Sequence, residues 1–468
     1  MAKERGTFMG PRVRRLRRQL GLTQAVMAGE LDISPSYIAL IERNHRPMSA
    51  DLLIRLAETY DLDIAAFASA EDETTQQLEA ALADPVFADL SIGRDDMRDL
   101  TAANPALSEA VAALYQSYRA SQRAMMEARA SGGGVKDPLE EARDFIDSSQ
   151  NYFPALDEAS EETAGELAKM RGGLFDAIAR RLEDKHNLSL RILPADVMVG
   201  AYRRLDRHRA QVVISEALDG TSRTFQAALQ LILLEQHETL DRAIADTSFS
   251  TDAGYKLTRA ALANYAAGAL TLPYQRFVTS AEELDYDIEA LTRRFNASFE
   301  QVAHRLTTMQ RPGAQGVPFF FVRIDAAGNV SKRFSGGVFP FARYGGSCSL
   351  WNAHKTFRTP RKILTQIIQL PEGDAFFSIA RTVHGGIGGF GAPDVDRAVA
   401  LGCELKEAKK LIYAKDLDLD KAVPDPIGVT CRLCPRQACA ARAHPPLERR
   451  LIIDEHRRMA TPFSFAFD

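Results

Sequence analysis

Only one tryptophan and five cysteines occur in 468 residues, and no cysteine precedes Cys348. That excludes a disulfide framework distributed along the chain. Three cysteines within nine positions near the end read as a metal or redox site. No apolar run approaches the ~18 residues a membrane helix needs; the longest are Val317 to Val322 and the stretch around Leu229 to Leu234. The start, Met1-Ala-Lys-Glu-Arg-Gly, has no apolar segment of the export type. A cytoplasmic protein with no membrane partner is expected. No Gly-x-Ser-x-Gly elbow is present, and Gly385-Gly-Ile-Gly-Gly-Phe-Gly391 lacks the Lys-Ser/Thr of a phosphate loop, so it reads as a mobile surface loop. With 46% hydrophobic and 26% charged residues the composition is globular, and the length suggests two to four domains at about 100–200 residues each.

Charge is segregated. Residues 1–50 carry nine Lys/Arg against four Asp/Glu, whereas residues 61–100 carry eleven acidic residues against two arginines. A basic head on an acidic body fits a head that meets a polyanion. Residues 11–67 read as short helices: Val13, Leu16 and Leu20 share a face, and Thr23, Ser34 and Ser49 are placed to cap the next three. Ala- and Glu-rich helical sequence at 75–130 ends at Ser131-Gly-Gly-Gly134, a flexible joint. Beyond it the pattern predicts helices near 158–185 and 224–245, a strand pair at Leu188–Leu193 and Gln211–Ser215, and two or three helices over 255–310. A hairpin follows, with Val317–Ile324 and Val330–Phe334 flanking Ala326-Ala-Gly-Asn329. The expected fold class is multidomain, mainly α with a smaller α+β part. Its domains are a DNA-binding head at 1–68, a helical linker placed for dimerisation at 69–136, a sensor domain at 137–310 and a cysteine-containing α+β domain at 311–468.

The head carries Leu22-Thr-Gln24, Ala28, Leu31, Ile33-Ser-Pro-Ser-Tyr-Ile38 and Ile41-Glu-Arg43, and resembles the helix-turn-helix of the Xre/Cro repressors. A recognition helix exposes short polar residues at its N-terminus while its apolar side packs inward. Ser34, Ser36 and Tyr37 form that exposed end, with Ile38 and Ile41 behind. The resemblance implies backbone phosphate contacts from Gln24, Arg43, Asn44 and Arg46. Asp32 stands where the family usually has glycine, a position that demands tolerance of left-handed backbone.

Arg223-Thr-Phe-Gln-Ala-Ala-Leu-Gln-Leu-Ile-Leu-Leu234 and Leu262-Ala-Asn-Tyr-Ala-Ala267 resemble the ImmA/IrrE-type zinc peptidases. That family has His-Glu-x-x-His on the first helix. Aligning Phe225 places Leu229, Gln230 and Leu233 at the His, Glu and His positions, so the zincin-like scaffold is degenerate and no enzyme is expected. His237-Glu238-Thr-Leu-Asp241 lies too late for the motif and reads as a solvated helix face.

Cys431-Arg-Leu-Cys434-Pro-Arg-Gln-Ala-Cys439 brings three thiols together, and Cys403 in Leu401-Gly-Cys403 is the candidate fourth. An iron–sulfur cluster, of the 4Fe-4S type, is favoured over zinc or an unligated set, although the spacing matches neither ferredoxin pattern. Cys348 reads as a buried structural thiol. Together with Asn151-Tyr-Phe-Pro154, Phe299-Glu-Gln-Val302, Gly345-Gly-Ser-Cys-Ser-Leu-Trp351 and Pro426-Ile-Gly428, the whole chain resembles the short-chain fatty acyl-CoA transcriptional regulators. The resemblance implies a homodimer on double-stranded operator DNA, controlling propionyl-CoA or acetyl-CoA metabolism genes with an acyl-CoA effector. A redox- or iron-responsive factor is the alternative, and an active repressor-cleaving metallopeptidase the remoter one. A CoA pocket needs cations for phosphates and aromatic faces for adenine and acyl chain. The candidates are Arg305, Arg323, Lys332 and Arg333 for the first, and Tyr152, Phe153, Tyr265 and Trp351 for the second.

Overall fold

The computed structural model describes residues 9–60, the helix Pro105–Ala130 and a few positions between 93 and 101. From 137 to 465 it describes all but 338, 342–346, 386–394, 448, 455, 458 and residue 44 is likewise left out of the head. The 385–391 glycine run therefore lies almost wholly outside the described residues. The chain forms two compact units, Met1–Met126 and Glu127–Asp468.

In the first unit, α1 (Gly10–Gln19), α2 (Gln24–Glu30), α3 (Pro35–Glu42) and α4 (Ala50–Tyr60) enclose Val13, Leu16, Met27, Leu31, Ile38, Ile41 and Leu56. The expected caps are present. Thr23 Oγ1 accepts from Val26 N at 3.2 Å, Ser34 Oγ from Tyr37 N at 3.2 Å and Ser49 Oγ from Leu52 N at 3.3 Å. Each satisfies an amide that the first helical turn leaves open. Asp32 takes φ +52°, the left-handed backbone that its place in the turn requires. A longer helix, α5 (Pro105–Ala130), follows.

The second unit begins with α6 (Pro138–Ser148), α7 (Pro154–Leu167) and α8 (Leu174–His186). The continuous helix expected over 158–185 is broken because Gly172 turns through φ +94°. Strands β1 (Ser189–Leu193), β2 (Arg203–Asp206) and β3 (Gln211–Ser215) form a small sheet in the order β1-β3-β2. The expected pair is thus confirmed and parallel, and β2 is an unforeseen antiparallel neighbour of β3. Helices α9 (Gly220–Glu235) and α10 (His237–Ala243) replace one helix over 224–245. Four helices occupy the stretch where two or three were expected: α11 (Asp252–Thr271), α12 (Tyr274–Glu283), α13 (Ile288–Phe295) and α14 (Phe299–Leu306).

A second sheet follows, with β4 (Phe320–Ile324) and β5 (Val330–Ser335) forming the expected hairpin. Strands β6 (Leu364–Gln369), β7 (Ala375–His384), β8 (Asp396–Glu404) and the two-residue β9 (Asp425–Pro426) complete the order β5-β4-β8-β7-β6-β9. Side chains alternate between faces along each strand. Phe321, Phe377, Val399 and Leu401 join α12 to α14 in one core, while Phe320, Phe376, Ala398 and Ala400 join Trp351, Phe339 and Ile427 in another. Gly402 is where Phe320 crosses β8: a Cβ there would stand 2.3 Å from the ring. The first of these cores is shared by residues on both sides of position 310, so the sensor and C-terminal segments fold as one body.

A buried ion pair ties its helices together. Arg305 on α14 gives Asp157 on α7 two hydrogen bonds, of 3.0 and 2.7 Å, and donates from Nε to the Leu272 carbonyl at 2.9 Å. Tyr265 Oη on α11 donates to the same carboxylate at 2.6 Å. Both charged side chains are almost fully buried. Removing one partner of such a pair strands the other, so Asp157→Ala should destabilise this unit by about 3–5 kcal/mol, read as a lowered denaturant midpoint. A loss below about 1 kcal/mol would place the pair among solvent-screened bridges instead.

Candidate functional site

The head presents a polar surface built around one buried carboxylate. Glu42 accepts from Arg17 Nε at 2.5 Å and from Gln24 Nε2 at 2.7 Å. Burial pushes its carboxyl up, but the bonds from Arg17 and Gln24 outweigh that and hold it below the ordinary range. The pair therefore stabilises the head above the ordinary carboxylate pKa, and that contribution fades as pH falls through the depressed value. Gln24 is thus anchored with its amide on Glu42 at the start of α2. Ser34 and Ser36 are exposed and Tyr37 is half-buried, on the N-terminal turn of α3. Arg43 and Arg46 are exposed just after that helix, and the Arg46 guanidinium lies 5.1 Å from the centre of the Tyr37 ring. Asn44 falls outside the described residues.

On the degenerate peptidase helix α9, Leu229 and Gln230 are buried and Leu233 packs against the same core. His237 is exposed on α10, and Glu238 pairs among the described residues with Arg242, at 3.6 Å in solvent.

The ligand candidates divide into three groups. Tyr265 and Arg305 converge, but on Asp157, and Phe153 packs against Tyr265. Phe153 meets Tyr265 edge-on at 5.1 Å and donates its backbone N–H to the Tyr265 hydroxyl, while Tyr152 meets Tyr274 edge-on at 6.0 Å. Arg323 and Lys332 both bond Glu300, at 2.7 and 2.8 Å. Arg333 bonds the buried Glu140 at 2.9 Å and shares a narrow cleft with Trp351, Val322, Phe339 and Phe341. That cleft measures about 20 Å³, room for a single water. A wider groove of about 370 Å³ along β6 holds none of the candidates.

All four cations proposed for phosphates are therefore bonded to carboxylates, which corrects the reading of Arg305 most sharply. Its charge is spent on Asp157 inside the core. Sequence reasoning missed those acids because nothing in helical spacing separates a buried Asp157 or Glu140 from a solvated one. It also missed Arg203 on β2. Burial alone depresses its pKa, its Nη1 reaches the Gln226 carbonyl of α9 at 3.4 Å, and among the described residues no carboxylate pairs with it.

The cysteines are sorted by the large sheet. Cys403 on β8 lies opposite Phe377 in register and belongs to the core with α12 to α14. Cys348 packs against the opposite face, with Trp351 and Ile427. Cys434 lies on that side too, since a Cβ on Gly428 would touch its sulfur at 2.8 Å. Cys403 is thus separated from the Cys431–Cys439 loop by the thickness of the sheet, contrary to its expected place as fourth ligand. Among the described residues no three of His, Cys, Asp and Glu converge closely enough to hold an ion.

The head geometry generates a test on DNA. Arg43→Ala and Arg46→Ala should each weaken binding about equally on all sequences and reduce the salt slope by about 1. A loss confined to one operator sequence, measured by anisotropy across salt concentrations, would instead make either arginine a base reader.

Three family profiles match consecutive parts of the chain. Residues 13–67 match a helix-turn-helix, 183–307 an IrrE N-terminal-like domain, and 308–463 the short-chain fatty acyl coenzyme A regulator C-terminal region. The HTH-type transcriptional regulator RamB of Mycobacterium tuberculosis is 39% identical over 470 residues, covering 98% of each chain. The propionyl-CoA carboxylase regulator of Cereibacter sphaeroides is 39% identical over 97% of this chain and 98% of its own. The M. tuberculosis regulator PrpR is 37% identical over 98% of this chain and 96% of its own. A solved structure of a M. tuberculosis transcriptional regulator superposes with a TM-score of 0.66 at 40% identity, covering 70% of this chain and 99% of that one. These relatives are named regulators, not enzymes, in keeping with aliphatic residues at the peptidase metal positions. The chain belongs to the short-chain fatty acyl-CoA regulator family of helix-turn-helix transcriptional regulators.

Proposed function

We propose that this regulator is controlled by a short-chain acyl-CoA, propionyl-CoA or acetyl-CoA, that binds the second unit and changes the affinity of the head for operator DNA of acyl-CoA metabolism genes. The observation that carries this reading is the match of residues 308–463 to the acyl-CoA regulator region, joined to a head of DNA-binding type. It acts in the cytoplasm as a homodimer. Leu107, Leu114 and Tyr118 support the dimer, since they are exposed on α5 at spacings of seven and four, one apolar stripe along the helix. Among the described residues no helix is long and apolar enough to cross a membrane.

An anionic CoA needs a cation whose charge is still available. Arg203 fits that need better than the four ion-paired candidates, and its contact with the Gln226 carbonyl of α9 supports a phosphate site near the degenerate metal helix. Tyr152 is half-buried, with its ring beside Tyr274. Arg333 and Trp351 line the apolar cleft, which must open before an acyl chain enters.

A second reading is favoured by the cysteine loop: sensing through an iron–sulfur cluster, with zinc as the structural variant. Its donor set is chemically suited to a soft metal, and such a cluster, when bound, would supply one-electron redox chemistry.

Calorimetry decides the effector. Propionyl-CoA should bind the full-length protein more tightly than free CoA, and Arg203→Ala should weaken it about 10-fold or more, as loss of a charge-assisted bond does. No heat with any acyl-CoA would refute the effector, whereas unchanged affinity in Arg203→Ala would refute only the phosphate site.

A further inference from the structure

Residues 189–215 carry five arginines, one histidine and two aspartates, with no lysine or glutamate. They make up the small sheet, and its register sorts the arginines by face. Leu190, Val212 and Leu205 form one rung across β1, β3 and β2; Val212 lies in the core, and Leu190 and Leu205 pack against it. The next rung is Arg191, Val213 and Arg204. Successive residues of a strand point to opposite faces. Arg191 and Arg204 therefore stand on the outer face, on either side of Val213, two strand spacings or about 10 Å apart. Both are exposed. Arg203 falls on the inner side, in line with its bond to the Gln226 carbonyl of α9.

The turn between β2 and β3 adds to this charge. Asp206 Oδ1 accepts from the Arg209 backbone N–H at 3.0 Å, and Ala210 ends the turn in left-handed backbone, φ +49°. Arg207, His208 and Arg209 are exposed on it. Glu216, the first acid after the sheet, accepts from the Ala195 N–H at 3.3 Å. Among the described residues no carboxylate pairs with Arg191, Arg204, Arg207 or Arg209. Neighbouring helices differ: Arg181 on α8 and Arg259 on α11 each have an acid.

Four guanidiniums on one small surface repel one another, and no acid offsets that here. Arginine at every position, with no lysine, suits an oxyanion that is held bidentately, as phosphate is. The head supplies the source of phosphates. Once it holds DNA, a weak phosphate-binding surface elsewhere in the same molecule meets the duplex at a raised effective concentration.

We propose that the outer face of the small sheet, through Arg191, Arg204, Arg207 and Arg209, is a second and sequence-independent contact to the phosphate backbone of DNA. Such contacts hold and position a protein without reading bases. The assignment goes beyond the effector reading and is separable from it, because Arg203 lies on the opposite face of the sheet.

The test measures binding of full-length protein to double-stranded DNA by anisotropy across salt concentrations. Arg191→Ala combined with Arg204→Ala should weaken binding at low salt and reduce the slope of log affinity against log salt by about 2 per bound chain. The reduction should be the same on the DNA upstream of its own gene and on an unrelated duplex. Arg191→Lys with Arg204→Lys should keep most of the slope, since the charges are kept. Adding Arg43→Ala and Arg46→Ala to the alanine pair should sum the two reductions, as independent contacts do. An unchanged slope in the alanine pair would overturn the proposal. A loss in the lysine pair as large as in the alanine pair would trace the effect to folding and overturn it too. Propionyl-CoA, titrated calorimetrically into the alanine pair, should bind as it does to the wild type. Weaker propionyl-CoA binding with the DNA slope intact would give this face to the effector and refute the DNA contact.

Discussion

The central strands β4, β8 and β7 of the six-stranded sheet in the second unit are buried on both faces, and this constraint organises what lies around them. A strand buried on both sides can devote neither parity of positions to solvent. Residues 320–322, 376–377, 379–380 and 398–401 therefore supply large or small apolar side chains to alternating sides. One face is closed by helices α12 to α14, which continue the peptidase-like scaffold. The other is closed by Trp351, Phe339 and Ile427 from the loop-rich tail. The tail thus needs the sheet as its floor, and the helices need the same sheet as their wall. That parity turns Cys403 toward the helices, whereas Cys348 lies in the loop that closes the other face.

Electrostatics of the buried parts follow a second rule: charge enters the core only with its partner. Asp157 with Arg305, Glu140 with Arg333 and Glu42 with Arg17 each join segments distant in sequence. Such pairs contribute little net stability over apolar packing but are costly to break, so they fix which helix lies beside which. Two cations stand outside the rule. Arg203, half-buried beside the degenerate metal helix, and Arg442, buried beside the cysteines, have no acid among the described residues, and the first is where the phosphates of an anionic ligand are proposed.

The head was legible almost to the residue, because its signals are local. Capping hydroxyls at Thr23, Ser34 and Ser49, the turn at Asp32 and the apolar face of Ile38 and Ile41 act within a few positions of one another. The loss of the peptidase metal was equally legible, as Leu229 and Leu233 cannot ligate. What escaped depends on contacts across the chain. Arg305, Arg323, Lys332 and Arg333 look alike in sequence whether they face a phosphate or a carboxylate, and only the packing of α6, α7 and α14 decides. The separation of Cys403 from the cysteine loop escaped for the same reason, since sheet parity is invisible until β8 is placed in register with β7.

The central claim is that an acyl-CoA bound to one unit alters what the other does on DNA. A ligand moves such an equilibrium only by its differential affinity for the two states. The direct measurement is DNA-binding anisotropy at fixed salt, with full-length protein on the DNA upstream of its own and neighbouring acyl-CoA genes, titrated with propionyl-CoA and with free CoA. The account predicts a displaced DNA-binding curve with propionyl-CoA and little displacement with free CoA. Tight DNA binding that no acyl-CoA displaces would contradict it and leave the cysteine centre as the sensing element.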